Sequence, residues 1–332
     1  MKILFVGLGG AGQRHLRNFR AILGGAASYM AYRVRKASVV IGPDFEVIPG
    51  AALSIPVFDS LESAVAEHPD AVVISNPTSE HIATALAATR ASAHVLIEKP
   101  LSNTLQCVTD LERTLSERAR VGLVGYMMRF HPALKQVRDW LNEGRIGKVL
   151  SARFEVASYV PDWHPWEDYR NLYAVKRALG GGVVLTESHE LDLAVWFFGK
   201  PRRVFAMGGA LSGDSGDVED TASILLDYGF PVHVQLCFMQ RPPSRSCEVN
   251  GTNGRIVWTG SSSVRVFEGG RWTSQEFAGC ERGELFHAEA RHFLQCIEGR
   301  ESPMVDVRAG VAPLEIALAA LQSIDTGHVV EL

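Results

Sequence analysis

The chain has 332 residues, of which 46% are hydrophobic and 21% charged, with a formal net charge of −4. This length favours two domains, and the near-neutral charge balance argues against nucleic acid or an anionic membrane surface as a partner. The five cysteines are scattered and form no C-x-x-C pair, so we expect neither disulfides nor zinc, and a reducing cytoplasm is the default location. No apolar run reaches the roughly 20 residues that a membrane span needs.

The first 125 residues alternate apolar runs with helical patterns, which predicts a parallel, doubly wound α/β sheet. The predicted strands are, in order, 2–6, 28–34, 71–75, 94–98 and 121–125. The predicted helices are 13–23, 80–92 and 103–118. In such a sheet the ligand binds at the carboxyl ends of the strands.

From residue 126 to residue 332 the pattern changes to that of an α+β domain built on a mostly antiparallel sheet. The predicted helices are 132–143, 183–198, 284–298 and 310–326, with a strand at 148–160 and a series of strands from residue 203. We therefore predict two domains, a dinucleotide-binding Rossmann domain over 1–125 and a second domain over 126–332.

A glycine loop of the form Gly7-x-Gly9-x-x-Gly12 follows the first strand and leads into a helix, which is the context of a dinucleotide fingerprint. Gly7 permits the tight turn, Gly9 lets a pyrophosphate approach, and Gly12 allows helix and strand to pack closely. Gly10 and Ala11 lie at the helix N-terminus, whose N–H groups can bind the phosphates. The alternative is a glycine-rich turn that binds nothing.

The end of the second predicted strand bears on the choice of cofactor. NAD is usually bound by a carboxylate about 20 residues past the glycines, but no Asp or Glu occurs between the loop and Asp44. The strand ends instead in Arg33-Val34-Arg35-Lys36, where alternation puts Arg33 and Arg35 on one side. Two arginines can hold a 2′-phosphate, so the sequence predicts NADP in preference to NAD. A solvated basic edge is the alternative.

Polar residues also follow two later strands of the predicted sheet. Asn76 and Thr78 lie where groups would contact the nicotinamide ribose, and His81 opens the next helix; the alternative is that Thr78 or Ser79 caps this helix. Lys99, in the tripeptide Glu98-Lys99-Pro100, follows the strand 94–98 and is placed for proton transfer. A lysine after a strand can equally be a surface charge.

These motifs occur together in an order that resembles the Gfo/Idh/MocA oxidoreductases, the family of glucose-fructose oxidoreductase and inositol dehydrogenase. The matching segments are the loop 7–12, Asn76-Pro77-Thr78 with His81, Glu98-Lys99-Pro100, GYMMRFHP at 125–132, GRIGK at 144–148, and GGG at 180–182 with His189. The resemblance covers nearly the whole chain. It implies a Rossmann domain, a second domain with an open sheet that binds substrate and forms a homodimer or homotetramer, and hydride transfer between nicotinamide and a secondary alcohol of a sugar or cyclitol.

Carried over residue by residue, the resemblance makes Lys99 and His189 the catalytic pair and Glu98 a residue that places cofactor and lysine. It also implies a cis peptide bond before Pro100. The family usually has an aspartate four residues before the histidine, where this chain has Leu185. In a continuous helix over 183–198, Thr186 and Asp192 would share a face with His189, and either could orient the imidazole. We expect no metal, because His189-Glu190 lacks the second histidine of a zinc-protease helix.

A loop rich in tryptophan, tyrosine and charge precedes the glycine triplet, and aromatic faces with polar groups suit a carbohydrate or sugar nucleotide. The expected substrate-binding residues are Arg129, Trp163, Tyr169, Arg170 and Asp192. The loop would equally suit packing on its own domain or on a neighbouring subunit.

The leading hypothesis from sequence is therefore a cytoplasmic, NADP-preferring sugar dehydrogenase in which Lys99 and His189 move the proton. One alternative is an NAD-dependent, redox-assisted glycoside hydrolase, and another is a non-enzymatic regulator that binds dinucleotide. The presence of both Lys99 and His189 argues against the regulator.

Overall fold

The computed structural model describes residues 1–34, 39–42, 46–49, 53–214 and 216–332. The chain forms two compact units. The first comprises Met1–Met127 and Arg282–Val311, and the second comprises Met128–Glu281 and Ala312–Leu332. Residues 282–311, which follow the second unit in sequence, thus pack with the first. The assignment of a separate function to each domain stays a prediction.

The strands of the described residues are, in chain order, β1 (Lys2–Val6), β2 (Ser28–Tyr32), β3 (Val40–Ile41), β4 (Val47–Ile48), β5 (Val57–Phe58), β6 (Ala71–Ile74), β7 (His94–Glu98), β8 (Gly122–Gly125), β9 (Val149–Tyr159), β10 (Arg203–Gly209), β11 (Thr221–Asp227), β12 (Pro231–Cys237), β13 (Met239–Gly251), β14 (Gly254–Trp258), β15 (Ser263–Glu268), β16 (Arg271–Glu276) and β17 (Val330–Glu331). The α-helices are α1 (Gly10–Leu23), α2 (Leu61–Val65), α3 (His81–Arg90), α4 (Val108–Glu117), α5 (Pro132–Asn142), α6 (Val183–Thr186), α7 (His189–Phe198), α8 (Arg282–Ile297) and α9 (Val311–Thr326). No helix within these described ranges is long and apolar enough to cross a membrane.

The first unit contains a parallel sheet with the strand order β5-β2-β1-β6-β7-β8, which confirms the predicted doubly wound architecture. Its central strands are apolar throughout because both faces of such a sheet are covered; all four residues of β6 are buried. Val6 pairs with Ile74, and Ile74 with Ile97, so β1, β6 and β7 end level with one another. The segments that follow these three strands therefore leave one edge of the sheet side by side.

Helix α8 closes one face of this sheet. Its residues Ala290, Phe293 and Leu294 join the core cluster that contains Phe5 and other β1 residues. The Phe293 ring meets Phe19 of α1 edge to face, with ring centroids 6.3 Å apart. The helix is amphipathic, and burying its apolar side here is what returns residues 282–311 to the first unit.

The second unit contains a nine-stranded sheet with the order β16-β15-β14-β13-β9-β12-β11-β10-β17. Only the β9–β12 pair is parallel, so the prediction of a mostly antiparallel sheet is confirmed. Burial alternates along β12, as expected for a sheet with one covered face.

Several predicted boundaries were wrong, and side-chain hydrogen bonds explain the start of α4. The second strand ends at Tyr32 rather than Val34. Helix α4 begins at Val108 rather than residue 103, because the hydroxyls of Ser102 and Thr104 accept backbone N–H groups two residues ahead and form turns. The single helix predicted over 183–198 is two helices, broken at Glu187 (φ −97°, ψ 37°).

Candidate functional site

The glycine loop has the geometry that a dinucleotide requires. A Cβ atom on Gly7 (φ +89°) would lie 2.6 Å from the Ser75 carbonyl oxygen, and one on Gly12 would lie 2.1 Å from the Gly7 carbonyl oxygen. A Cβ atom on Gly9 would meet nothing within 4 Å. Two glycines are thus fixed by close packing, whereas the third leaves an open approach to the backbone. Gly10 and Ala11 begin α1, whose first N–H groups have no partner within the helix.

The basic cluster after β2 is only partly described. Arg33 follows the strand, and its Nη1 atom is buried without a hydrogen-bond partner among the described protein groups. Arg35 and Lys36 lie outside the described residues, so the joint grip of Arg33 and Arg35 on one phosphate stays a prediction. Because β2 ends at Tyr32, strand alternation does not support that grip.

The segment after β6 contains a buried side-chain acceptor on Asn76 and a histidine, His81, that contacts two backbone carbonyl oxygens. Asn76 donates through Nδ2 to Thr84 Oγ1 at 3.0 Å, and its Oδ1 atom is buried with no protein partner in the described chain. Thr78 is buried and does not cap α3, whose N-cap is Glu80 with no side-chain capping bond. His81 lies between the carbonyl oxygens of Asn76 (3.0 Å) and Pro100 (2.9 Å), and burial lowers the pKa of this imidazole.

His81 therefore ties the segment after β6 to the segment that carries Lys99. Together the open Gly9, the buried Nη1 of Arg33 and the buried Oδ1 of Asn76 offer space, a cationic donor and an acceptor along one sheet edge. This set of donors and acceptors fits a dinucleotide bound across the strand ends.

Lys99 leaves β7 at this edge, and the Lys99–Pro100 peptide bond is cis, as the family resemblance implied. The preceding residue, Glu98, accepts a hydrogen bond from the Lys99 backbone N–H at 3.2 Å, and its Oε1 atom lies 2.8 Å from His15 Nε2. Burial disfavours the ionised form of Glu98, but the hydrogen bond and charge of His15 outweigh it and lower the pKa of this carboxyl. Glu98 is thus an anion held in one place beside the lysine.

Two residues of this cluster were missed by the sequence analysis. His15 is fully buried on α1, and Glu289 is fully buried on α8. A signal was present in each case, because each polar residue lies beside apolar residues of its helix: His15 beside Leu16 and Phe19, and Glu289 beside Leu285 and Phe293.

In the second unit, two of the expected substrate-binding residues, Arg129 and Asp192, form an ion pair with each other. Arg129 donates from Nε and Nη2 to the two carboxylate oxygens of Asp192, at 2.9 and 2.7 Å. Both side chains are buried. Burial raises the pKa of Asp192, and the Arg129 charge opposes this shift; the two-fold contact is the geometry of an ion pair.

His189 is buried in the first turn of α7, three residues before Asp192. Thr186 ends α6, so it does not share a continuous helix with the histidine as the sequence analysis expected. Arg245 contacts Glu187 at 3.4 Å and Glu190 at 2.9 Å, on the two sides of the helix break. The roles of Asp192 and Thr186 in orienting the imidazole stay predictions.

The loop that contains Trp163, Tyr169 and Arg170 is held in place by hydrogen bonds and a ring contact of its side chains. Trp163 Nε1 donates to Ser158 Oγ at 3.1 Å, and its ring packs edge to face on Phe238. Tyr169 donates through its hydroxyl to the Asp214 carbonyl oxygen at 3.2 Å. Arg170 forms an exposed ion pair with Asp168. Substrate contact by Trp163, Tyr169 and Arg170 stays a prediction.

The described residues contain no group of three or more His, Cys, Asp or Glu side chains that could hold a metal ion. The cysteines are reduced; Cys247 is buried and Cys107 is exposed.

Comparison with known families gives two matches along the chain. Residues 1–126 match the oxidoreductase family with an NAD-binding Rossmann fold, and residues 134–257 match the GFO/IDH/MocA C-terminal domain. The two matched segments are consecutive, and together they span most of the sequence.

Individual relatives cover the chain from end to end. The myo-inositol 2-dehydrogenase of Thermotoga maritima is 26% identical over 100% of this chain and 98% of its own length. The UDP-N-acetylglucosamine 3-dehydrogenase of Acidithiobacillus ferrooxidans is 27% identical over 97% of this chain and 96% of its own. The WlbA dehydrogenase of Bordetella pertussis, solved in complex with NADH and UDP-GlcNAcA, shares the fold with a TM-score of 0.80 at 21% identity, covering 100% of this chain and 98% of that one.

Proposed function

The chain belongs to the GFO/IDH/MocA family of oxidoreductases, and from this premise we propose that it transfers hydride between a nicotinamide dinucleotide and a secondary alcohol carbon of a sugar, sugar derivative or cyclitol. The observation that carries the proposal is the alignment of β1, β6 and β7, which brings the glycine loop, Asn76 and Lys99 to one sheet edge. The names of the relatives support the substrate class, since they include dehydrogenases of an inositol and of a nucleotide-linked sugar.

The first unit supplies the groups that would hold the cofactor, whose chemistry when bound is to accept or donate hydride. The N–H groups at the start of α1 and the open backbone at Gly9 suit the pyrophosphate. Arg33 suits a 2′-phosphate, because it has a buried donor without a protein acceptor in the described part of the chain. We therefore infer a preference for NADP over NAD.

Lys99 and His189 are the proposed acid and base. Oxidation of an alcohol requires the hydroxyl proton to leave as the hydride departs, so a general base must lie within hydrogen-bond reach. Lys99 Nζ suits this task because the brace from His81 to Pro100 and the fixed Glu98 carboxylate hold the segment around it in place. We infer that His189 takes the other proton-handling position and that Arg129, held by Asp192, contributes to substrate recognition.

The proposal is tested by NAD(P)H formation with a panel of sugars, inositols and UDP-sugars. With the substrate so found, we expect Lys99→Met to lower kcat by about a hundredfold or more, because positioned acid–base groups contribute about that much. The cofactor Kd should change little. Lys148→Met, directly before β9 in the second unit, is the control. Wild-type kcat in Lys99→Met would refute the mechanism, and cleavage of chromogenic glycosides without net NAD(P)H would favour the hydrolase alternative.

The cofactor preference has its own test. We expect Arg33→Ala to weaken NADP binding about tenfold or more and to leave NAD binding within about twofold, since one charge-assisted hydrogen-bonding group is worth about 1.5–3 kcal/mol. The exposed Arg118→Ala serves as the matched control. The preference would be wrong if wild-type protein bound both cofactors equally, or if Arg33→Ala weakened both to the same extent.

A further inference from the structure

Helix α8 places a carboxyl group in the interior of the first unit, close to the segment that carries Lys99. Glu289 has no exposed surface, and its neighbours on the same helical stripe, Phe286 and Phe293, are buried. The helix cannot rotate to expose the carboxyl without exposing these rings. Glu289 is therefore held inside by the packing of its own helix.

Gly125 shows how near this carboxyl lies to the end of β7. A Cβ atom on Gly125 would be 3.4 Å from Cα of Glu98 and 3.6 Å from Oε1 of Glu289. The Glu98 backbone and the Glu289 carboxyl group thus border the same space, which the absence of a side chain at Gly125 leaves open. Both carboxyl oxygens of Glu289 are buried with no hydrogen-bond partner among the described protein groups.

The two glutamates have opposite electrostatic surroundings. Glu98 has His15 at 2.8 Å and the Lys99 N–H at 3.2 Å, and both contacts favour its ionised form. Burial, and then the charge of Glu98, raise the pKa of Glu289 well above its usual value. The surroundings of Glu289 thus favour its protonated form, whereas those of Glu98 favour its ionised form.

We propose that Glu289 is a positioning residue for the Glu98–Lys99 segment, to which it presents a neutral carboxyl group so that Glu98 alone carries negative charge there. The other ionisable groups around this pair are Arg14 and His15 on α1, Arg282 on α8, His81 at the start of α3, and Lys99 itself. The part of the inference that concerns Lys99 rests on the proposed function, whereas the neutrality of Glu289 does not.

The first experiment compares Glu289→Gln with Glu289→Met. Glutamine replaces a neutral acid by a neutral amide, so we expect kcat within about twofold of wild type and an unshifted acid limb in the pH profile of kcat/KM. Methionine removes the polar group, and we expect it to lower kcat about tenfold with the cofactor KM within about twofold. The exposed Glu284→Gln on the same helix is the control.

Two results would overturn the positioning role. If Glu289 were an anion, glutamine would remove a negative charge near Lys99, and the acid limb would move to lower pH. If Glu289 only filled space, methionine would match wild type in kcat and in pH profile.

The second experiment needs no substrate, and it remains decisive if Glu289→Met does not fold or if the proposed function fails. A carboxyl whose pKa is raised by folding stabilises the protein fully at low pH, and this contribution is lost as the pH rises toward the raised value. We therefore expect the urea midpoint of wild type to fall relative to Glu289→Gln as the pH rises above about 4.3, the ordinary pKa of a glutamate. Parallel curves for the two proteins would show that Glu289 is ionised in the fold and would refute the inference.

Discussion

Substituting Gly9 by alanine separates the folding of the glycine loop from its binding of a ligand. Gly9 has φ −71° and ψ −167°, a conformation that alanine also adopts, and a Cβ atom there would meet nothing within 4 Å. The stability cost is then confined to the change of N-cap residue, for which alanine is worse than glycine by about 0.5–1 kcal/mol. The fold should remain intact.

Binding should respond differently, because the open space at Gly9 is where the proposed pyrophosphate approaches the backbone. A methyl group there would separate a phosphate from N–H groups that otherwise donate to it. Losing one hydrogen bond to a charged group costs about 2 kcal/mol, which is about a thirtyfold loss of cofactor affinity.

Gly12→Ala provides the contrasting variant. Its Cβ atom would lie 2.1 Å from the Gly7 carbonyl oxygen and 2.6 Å from Ser75 Oγ. The first of these contacts is with backbone, so relief requires the helix to move away from the strand. We expect a loss of about 3 kcal/mol in the free energy of unfolding, at the upper end of the usual range for overpacking.

The assay pairs urea unfolding with cofactor titration by nicotinamide fluorescence, applied to wild type and both variants. The expected pattern is a stable Gly9→Ala protein that binds weakly and a destabilised Gly12→Ala protein. Unchanged cofactor affinity in Gly9→Ala would refute the assignment of this open space to the pyrophosphate. A large stability loss in the same variant would refute the packing argument.

Two further predictions concern buried charge in the second unit. Asp192→Ala leaves the buried Arg129 without its ion-pair partner, so we expect a loss of about 3 kcal/mol in urea unfolding. Asp168→Ala removes an exposed ion pair with Arg170 and the acceptor of the Arg170 backbone N–H, so it should cost much less stability; equal effects of the two changes would contradict the argument. His131 has its pKa lowered to about 4 by burial and by Arg245, so folding favours its neutral form. Stability is therefore lost as the pH falls from about 6.5 to about 4, by up to about 3 kcal/mol. His131→Gln should remove this slope and the exposed His328→Gln should keep it; an unchanged slope in His131→Gln would count against the lowered pKa.

The strands of the first unit could be predicted from sequence because each is a short apolar run bounded by polar or turn-forming residues. His94–Glu98 was predicted to the residue, as was Lys2–Val6. Both lie in a parallel sheet covered on two faces, where continuous apolar runs are unambiguous. The same rule predicted the glycine loop, Asn76 and Lys99 at strand ends, and they follow β1, β6 and β7.

The errors occur where side chains compete with a regular backbone. The helix predicted over 183–198 is apolar for most of its length, and no propensity marks its break. Local hydrogen bonding sets the actual bounds: Val184 N–H donates to a carboxylate oxygen of Glu219 at 3.1 Å at the start of α6. Arg245 then contacts the carboxylates of Glu187 and Glu190 across the break. These partners lie 35 or more residues away in sequence, so a pattern with a period of a few residues cannot detect them.

Separation in sequence also explains why Glu98 was predicted beside Lys99, whereas His15 and Glu289 were not. The tripeptide Glu98-Lys99-Pro100 is local, and its place at a strand end follows from the pattern. His15 lies 83 residues away from Glu98, and Glu289 belongs to a helix that returns to the first unit only after strands β9 to β16 of the second sheet. Yet a partly buried lysine beside a carboxylate requires compensating groups, since unpaired buried charge is costly. A polar residue among the buried apolar residues of a helix is the sequence feature that identifies candidates for such groups, and His15 and Glu289 are two of them.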